Sequence, residues 1–464
     1  MTASTSLPGD DLHRLAKLFM DSGEAQTQAK AEQMIRSYRL AIGVGPEVAH
    51  SPTLQAGVLT AVNTAARTFL GGVEVWGVED TRLLVPWKRC NTLAEAVSDL
   101  GGRIVTAVPL ALPLVVFGDV PRAAVAEREF ALQATFNGWA GGVLPLGDSH
   151  RLREHDEFVP SGVLAGALGV SEAFQHVRGG YPLPGRRDMG LSLWKPDAEV
   201  DWRTADAGPP LEVLPARLWM IGLGHLGQAI LWTLGLLPYG EPGEVELVLQ
   251  DFDRLVTANE STSVLTTSAI VGQPKTRAMA QWADARGFKS RICERLFRPN
   301  FKIADDEPSV GVCGVDNALA RAALEDVGFK RVIEAGLGKG TTEYLALQVH
   351  TFPAAKRASS IWGSATAGDD ESVLDRPAYK ALADAGVDGC GLTQLAGRTV
   401  GASFVGAVTS SLVVAEMLRM SGGYHSYEVV DATLRSLINR RAVPSQTVRD
   451  PFNPGITAVS GANR

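Results

Sequence analysis

The stretch from Leu218 to Arg277 places the strongest constraint on how this chain can fold. It begins with an apolar run at 218–221, which predicts a buried strand. Three glycines follow at once in a Gly-x-Gly-x-x-Gly spacing, and a helical pattern continues from them: Gly222, Gly224 and Gly227. Such a turn lets the backbone approach phosphate groups at the positive end of a helix, so the stretch predicts nucleotide binding by these glycines.

A second apolar strand, predicted at 245–249, ends beside two acidic residues, Asp251 and Asp253. In nucleotide-binding βαβ units, an acid after the second strand holds the ribose hydroxyls. We therefore predict that Asp251 binds the ribose of a nucleotide. Asp253 is the weaker candidate, because it can also support its neighbour or cap a helix.

More polar residues follow in order. Asn259 comes after the acidic pair, Lys275 opens another helix, and Asp316 and Asn317 follow an apolar run at 312–315. A lysine in the first turn of a helix is unfavourable for the helix dipole, and a bound triphosphate would explain its position.

This ordered set resembles the motifs of the ubiquitin-activating and ThiF/MoeB-like superfamily, whose members adenylate a C-terminal carboxylate. The resemblance covers about 218–338 and resumes at 390–423. It implies ATP and Mg²⁺ as cofactors, and a ubiquitin-like protein or a peptide with a C-terminal carboxylate as the partner. It leaves open whether a conjugating protein acts downstream and whether the chain forms a homodimer.

The resemblance also implies roles for single residues. Asn259 and Lys275 correspond to contacts of the ATP phosphates, and Asp316 corresponds to the aspartate linked to magnesium. Asn317 stands in the same cofactor loop. There it and Arg321 are better suited to shaping the loop and capping its helix than to touching substrate.

One departure concerns the arginines that serve the phosphates. The superfamily has an arginine closely after the asparagine, whereas this chain has the uncharged residues 261–263 there. A second arginine comes from the partner half, just before its first strand, and Arg36 and Arg39 stand at that place. We favour Arg39 as the catalytic one; the alternative is a solvated helix end.

The chain has four widely spaced cysteines and no Cys-x-x-Cys pair: Cys90, Cys293, Cys313 and Cys390. No structural zinc is expected, although several members of the superfamily carry one. Cys390 lies between two glycines, where a thiolate could attack the adenylate and form a thioester. The alternative is a structural thiol in a glycine turn.

The two halves of the chain carry a weak repeat, since alanine-rich helices at 161–178 and 404–420 each lead to a Gly-Gly pair. The first half lacks the third glycine and the lysine-bearing helix. We predict an α/β fold with two Rossmann-like parallel-sheet units packed as a pseudo-dimer, the N-terminal copy inactive and the C-terminal copy nucleotide-binding. The predicted segments are a tail and helix at 1–39, the inactive unit at 40–180, a linker at 181–213, the active unit at 214–440 and a tail at 441–464.

Composition narrows the function classes. A net charge of −7 argues against nucleic acid as the partner, because phosphate backbones require a basic surface. The longest apolar runs contain prolines and are too short to span a membrane, and we expect a reducing cytoplasm. The favoured function is ATP-dependent activation of a carboxylate. The alternative is a non-catalytic, nucleotide-binding scaffold; a nicotinamide oxidoreductase is less favoured, because no hydride-transfer site stands out.

Overall fold

The computed structural model describes residues 9–87, 89–147, 151–363, 371–446 and 452–460. Most of the predicted N-terminal tail, residues 1–8, and parts of the predicted C-terminal tail, residues 447–451 and 461–464, lie outside the described residues.

The first half is built on a seven-stranded sheet in the order β3-β2-β1-β4-β5-β6-β7. The first five strands of this order are parallel, and the last two are added antiparallel. The strands are β1 (Arg39–Val44), β2 (Gly72–Trp76), β3 (Arg103–Ile104), β4 (Leu114–Phe117), β5 (Ala131–Asn137), β6 (Ala140–Pro145) and β7 (Met189–Ser192).

The second half repeats this plan in an eight-stranded sheet, in the order β11-β10-β9-β12-β13-β14-β15-β16. Again the first five strands in the order are parallel and the rest antiparallel. After the separate short strand β8 (Val213–Pro215), its strands are β9 (Arg217–Ile221), β10 (Glu246–Gln250), β11 (Lys289–Cys293), β12 (Val310–Cys313), β13 (Arg331–Leu337), β14 (Ala346–Phe352), β15 (Tyr427–Thr433) and β16 (Arg441–Pro444).

Both sheets therefore share one topology. In each, the first strand lies between the second and the fourth, which creates a point where the strand order reverses. This is the arrangement in which parallel α/β sheets bind ligands beyond the carboxyl ends of the strands. The prediction of two Rossmann-like units in one chain is confirmed.

Helices cover the sheets and connect the halves. In the first half these are α1 (Arg14–Ser22), α2 (Gln28–Ser37), α3 (Pro52–Ala66), α4 (Leu93–Asp99), α5 (Arg122–Val125) and α6 (Val159–Arg178). In the second half they are α7 (His225–Leu236), α8 (Lys275–Ala285), α9 (Ala318–Ala322), α10 (Gly340–Glu343), α11 (Ala358–Trp362), α12 (Pro377–Asp384), α13 (Gly389–Ala396) and α14 (Ser403–Ser421).

The halves pack through α3 and α6 on one side and α7 and α14 on the other, and one continuous apolar core runs through both. A buried hydrogen bond and an aromatic contact cross this interface. The indole N–H of Trp232 donates to Thr60 Oγ1 at 3.0 Å, and the rings of Phe174 and Phe404 lie 5.7 Å apart. Buried apolar surface from both halves thus holds the pseudo-dimer together.

Two segments that were predicted to lie outside the units contribute strands. The predicted linker at 181–213 supplies β7, and the predicted tail at 441–464 supplies β16 and a last strand, β17 (Ile456–Ala458), which pairs with β8. Each of these strands has only three or four residues, too few to show a period among the surrounding prolines and glycines.

Helix α14 is long and apolar enough to cross a membrane by length and composition, and 94% of its most apolar window is buried inside the protein. It contacts α6, α7 and β13, so its apolar character matches its position between the two halves.

Glycines let α3 and α6 approach closely. A methyl group at Gly166 of α6 would overlap the carbonyl oxygen of Gly57 in α3, and one at Gly162 would overlap the carbonyl of Thr53. These clashes involve backbone, which cannot move aside as the end of a flexible side chain can.

We expect Gly166→Ala to destabilise the protein by about 1–3 kcal/mol, the usual cost of overpacking a core. The measurement is the free energy of unfolding in urea. Gly243→Ala is the matched control, because a methyl group there meets no atom within 4 Å and the residue lies in a short exposed turn. Equal stability of the two variants would contradict the close packing of α3 on α6.

Candidate functional site

The candidate site lies beyond the carboxyl ends of β9 and β12, where the strand order of the second sheet reverses. The loop that follows β9 and the loop that follows β12 contact each other. A methyl group at Gly222, after β9, would lie 2.7 Å from Val315 Cγ1, after β12, and one at Gly314 would lie 2.9 Å from Leu226 Cβ. The two motifs separated by about 90 residues of sequence thus form one crevice.

Each of the three predicted glycines is required at its position for a different local reason. Gly222 has φ +86°, a left-handed conformation that favours glycine, and a methyl group at Gly227 would overlap the Gly222 carbonyl oxygen. Gly224 precedes α7 and faces open space, with the Nζ of Lys275 4.0 Å from where its Cβ would lie. The turn therefore leaves room for an anion between the α7 N-terminus and a lysine.

Asp251 is buried and fastens the glycine turn to the end of β10. Its Oδ2 accepts the Leu223 N–H at 2.7 Å, and its Oδ1 accepts the N–H groups of Phe252 and Asp253 at 2.8 and 2.9 Å. The carboxylate is thus next to the turn where a ribose would lie, and it also holds that turn in shape.

Lys275 is the first residue of α8, and its ammonium group is paired with carboxylates. Its Nζ lies 2.8 Å from Asp253 Oδ2 and 3.9 Å from Asp251 Oδ2. The lysine side chain is 12% exposed, whereas that of Asp253 is 48% exposed. A bound phosphate would compete with the exposed carboxylate for the ammonium group.

Asn259 lies in a 3₁₀ turn, Thr257–Ser261, at the border of the crevice. Its Oδ1 accepts the Val256 N–H at 2.9 Å, and its carbonyl accepts the Ser263 N–H at 2.8 Å. Thr262, at the position where the resemblance implies an arginine, is buried.

Asp316 is exposed at the end of β12, and within the described ranges its carboxylate makes no hydrogen bond or ion pair. Asn317 caps α9, because its Oδ1 accepts the Ala320 N–H at 2.9 Å. Arg321 is buried against Glu334 and lies 3.3 Å above the Trp362 ring. The loop residues thus divide into one free carboxylate and two that shape the loop.

Cys390 is exposed in the first turn of α13, whose N-cap Asp388 accepts the Gly391 N–H at 2.6 Å. A helix N-terminus favours an anionic group such as a thiolate. Cys313, by contrast, is fully buried, and burial raises the pKa of its thiol to about 12.

The structure does not bring Arg39 to this crevice. Its guanidinium pairs with Glu74 of the neighbouring strand β2, at the amino end of β1, and Arg103 pairs with the same carboxylate. Arg14 approaches the site instead. It opens α1, and its backbone N–H donates to Ser261 Oγ at 3.2 Å, beside the turn of Asn259.

Arg67, at the end of α3, carries the contact between the halves at this site. Its guanidinium donates to three backbone carbonyls of the loop after Asn259: Glu260 at 2.6 Å, Val264 at 2.9 Å and Thr266 at 3.0 Å. The inactive half therefore sets the shape of a loop in the active half. Sequence reasoning missed Arg14 and Arg67, because no local pattern marks a side chain whose partners belong to another unit.

His225 is a further residue that was missed. It is the first residue of α7, and a methyl group at Gly406 of α14 would lie 2.5 Å from its Nε2. Burial lowers the pKa of His225 to about 4, so the ring is neutral at pH 7. A neutral ring suits the positive end of a helix better than a cation does.

Among the residues that the structure describes, no three His, Cys, Asp or Glu side chains lie together as a metal site. Within the described part of the chain, Asp316 is the predicted site residue whose carboxylate has no hydrogen bond or ion pair. Mg²⁺ is commonly held by one or two carboxylates together with substrate phosphates, so a lone carboxylate fits a metal that arrives with a nucleotide.

Comparison with known proteins identifies the family. Residues 39–193 match the model of the BilD N-terminal domain, and residues 214–424 match that of the BilD C-terminal domain. The chain belongs to the BilD family. The relative "Bacterial E1-like protein BilD" of Collimonas sp. (strain OK412) is 44% identical over 427 residues, which is 92% of each chain. The E1-like superfamily predicted from the motifs is thereby supported.

Solved structures give partial overlaps with this BilD-family chain. E. coli MccB with MccA-N7isoASN is 14% identical, over 52% of this chain and 66% of that chain, with a TM-score of 0.33. PaaA is 14% identical, over 50% of this chain and 65% of that chain, with a TM-score of 0.34. The present chain thus aligns with just under two thirds of the length of each.

His13 caps the N-terminus of α1 beside the crevice. Its Nδ1 accepts the Leu15 N–H at 3.2 Å and its Nε2 lies 3.1 Å from the Arg67 carbonyl, so the neutral ring is fully paired. Burial lowers its pKa from 6.5 to about 4. The unfolded chain therefore binds more protons between these pH values, and the stabilisation is full above pH 6.5 and lost as the pH falls towards 4.

We expect His13→Asn to keep the cap and to reduce the loss of unfolding free energy between pH 7.5 and 4.5. The part of this loss that is due to His13 is at most about 3 kcal/mol. Urea unfolding at both pH values measures it. His50→Asn, at an exposed position of the first half, should keep the wild-type difference. A His13→Asn profile parallel to that of the wild type would show that this ring does not couple folding to pH.

Proposed function

We propose that this chain activates a C-terminal carboxylate by ATP-dependent adenylation. The observation that carries the proposal is the crevice itself, where the glycine turn, the ammonium group of Lys275 and the free carboxylate of Asp316 meet at one sheet edge. The Collimonas relative is an E1-like protein, which supports the same chemistry. The partner we propose is a ubiquitin-like protein or a peptide, and the compartment the cytoplasm.

In the proposed reaction, a substrate carboxylate oxygen attacks the α-phosphorus of ATP. The bond from that phosphorus to the bridging oxygen breaks, so pyrophosphate leaves and an acyl-adenylate remains. Negative charge accumulates on the phosphates, and fixed donors at the site of charge development lower the barrier. The free N–H groups at the α7 N-terminus and the Lys275 ammonium are the donors this chain offers.

Asp316 is the residue that would hold Mg²⁺. When bound, the ion would offset phosphate charge and polarise a phosphoryl oxygen. Asp251 keeps the glycine turn in position, and Asp253 holds Lys275 until a phosphate replaces it.

A second step would transfer the acyl group to Cys390. The Sγ attacks the acyl carbonyl carbon, the bond to the adenylate oxygen breaks, and AMP leaves with its electron pair. The exposure of Cys390 and its location in the first turn of a helix suit a transferring thiolate.

The second candidate function is a non-catalytic scaffold that binds nucleotide. Its supporting observation is Thr262, a buried and uncharged residue at a position where the resemblance implies an arginine. The two functions differ in turnover. A scaffold binds ATP without exchanging pyrophosphate.

We expect Asp316→Asn and Lys275→Ala each to reduce ATP–pyrophosphate exchange by about 100-fold or more, the usual effect of removing one charge-stabilising group. The substrate to use is a ubiquitin-like protein encoded beside this chain, with its C-terminal amide as the blank. Asp305→Asn removes an exposed carboxylate elsewhere and should leave exchange intact. If neither the wild type nor any variant exchanged pyrophosphate, but the wild type bound ATP, the scaffold function would be favoured.

The thioester step is tested separately. Cys390→Ala should keep pyrophosphate exchange, because adenylation does not use the thiol, but should lose the covalent adduct that reductants cleave. The readout is a non-reducing gel with the same substrate. Cys90→Ala, in the other half, should keep both activities. An adduct that persists in Cys390→Ala would assign the thioester to another residue, and a wild type with exchange but no adduct would end the reaction at the adenylate.

A further inference from the structure

Two arginines from outside the glycine turn lie beside the turn of Ser261 and Thr262 at the border of the crevice. Arg14 belongs to α1 of the first half and is joined to Ser261 through its backbone. Arg398 lies in the loop between α13 and α14. Three residues later, Gly401 packs against the crevice, since a methyl group there would lie 3.1 Å from Thr262 Cγ2 and 3.7 Å from His225 Nδ1. The loop that contains Arg398 thus lies over Thr262, the position at which the resemblance implies an arginine.

Both guanidinium groups carry buried nitrogens that have no hydrogen-bond partner in the described part of the chain: Nη1 of Arg14 and Nε of Arg398. Arg398 also forms an ion pair with Asp10, at 2.7 Å. Burial lowers the pKa of Arg14 to about 10, and the positive charge of Arg398 contributes in the same direction. Two cations repel each other here beside one carboxylate.

Such an arrangement is unfavourable without an anion. A buried polar group with no partner loses the free energy of the hydrogen bonds it made to water, and charged groups lose more. Guanidinium groups match phosphate oxygens in geometry and charge. The start of α7, where His225 lies beside Gly401 and Lys275 lies beside Gly224, also favours an anion.

We propose that Arg398 binds the terminal phosphates of the nucleotide, and the pyrophosphate they become, in place of the arginine absent at position 262. This inference rests on the proposed function and adds a residue to it. Thr262 carries no charge. The loop between α13 and α14, which lies over Thr262, supplies the positive charge of Arg398 instead. Because Arg398 follows α13, the segment that carries Cys390 also contacts the leaving group of the first step.

Calorimetric titration of the full chain with ATP, AMP and inorganic pyrophosphate tests the proposal. Arg398→Gln should weaken binding of ATP and pyrophosphate about 10-fold or more, as expected for a lost charge-assisted hydrogen bond, and leave AMP unchanged. Lys380→Gln is the matched control, since it removes an exposed cation from α12 of the same segment, and should bind all three as the wild type does. The Arg398 side chain is 34% exposed, so the substitution should fold.

A second variant moves affinity in the opposite direction. Asp10→Asn removes the carboxylate that competes for Arg398, and it should strengthen pyrophosphate binding several-fold. A merely structural ion pair would not do so. Wild-type affinity for ATP in Arg398→Gln, or an equal loss for AMP, would overturn the proposal. If the wild-type protein bound pyrophosphate but not ATP, the proposed function would be refuted and only the pyrophosphate site at Arg398 would stand. If it bound neither ligand, both the proposed function and this site would be refuted.

Discussion

The guanidinium of Arg67 is the contact on which the shape of the site depends. It enters the loop after Asn259 from the other half and donates hydrogen bonds to three backbone carbonyls of that loop. Hydrogen bonds from a charged donor are worth about 1.5–3 kcal/mol each, and an unpaired buried carbonyl costs a similar amount. The second half therefore depends on the first for the conformation of the loop beside the crevice.

This dependence gives the first half a structural role at the crevice of the second. The first sheet repeats the strand order of the second and supplies α3 and α6 to a shared apolar core. Its N-terminal helix brings Arg14 and His13 to the border of the crevice. The first half thus positions residues at the candidate site of the second half.

Part of the positive charge at the crevice is paired with carboxylates of the chain itself. Asp253 pairs with Lys275, and Asp10 pairs with Arg398, so both of these cations have a carboxylate partner within the chain. Exchange of one anion for another costs less than exposing a bare cation would. The paired charges thus lower the cost of the empty crevice, whereas the unpartnered nitrogens of Arg14 and Arg398 favour a bound anion.

The sequence by itself determined the local parts: the glycine turn, the acid after β10, the lysine that opens α8, the cap at Asn317 and the repeated fold. Each depends on neighbours in the chain, through backbone sterics or a helix end. The tertiary structure alone decided which arginines reach the crevice. Arg39 has the expected position along the chain, but its neighbour Glu74 on β2 holds it, while Arg14, Arg67 and Arg398 meet partners from distant segments. Side-chain pairing between units follows from packing in space, which no spacing in the sequence records.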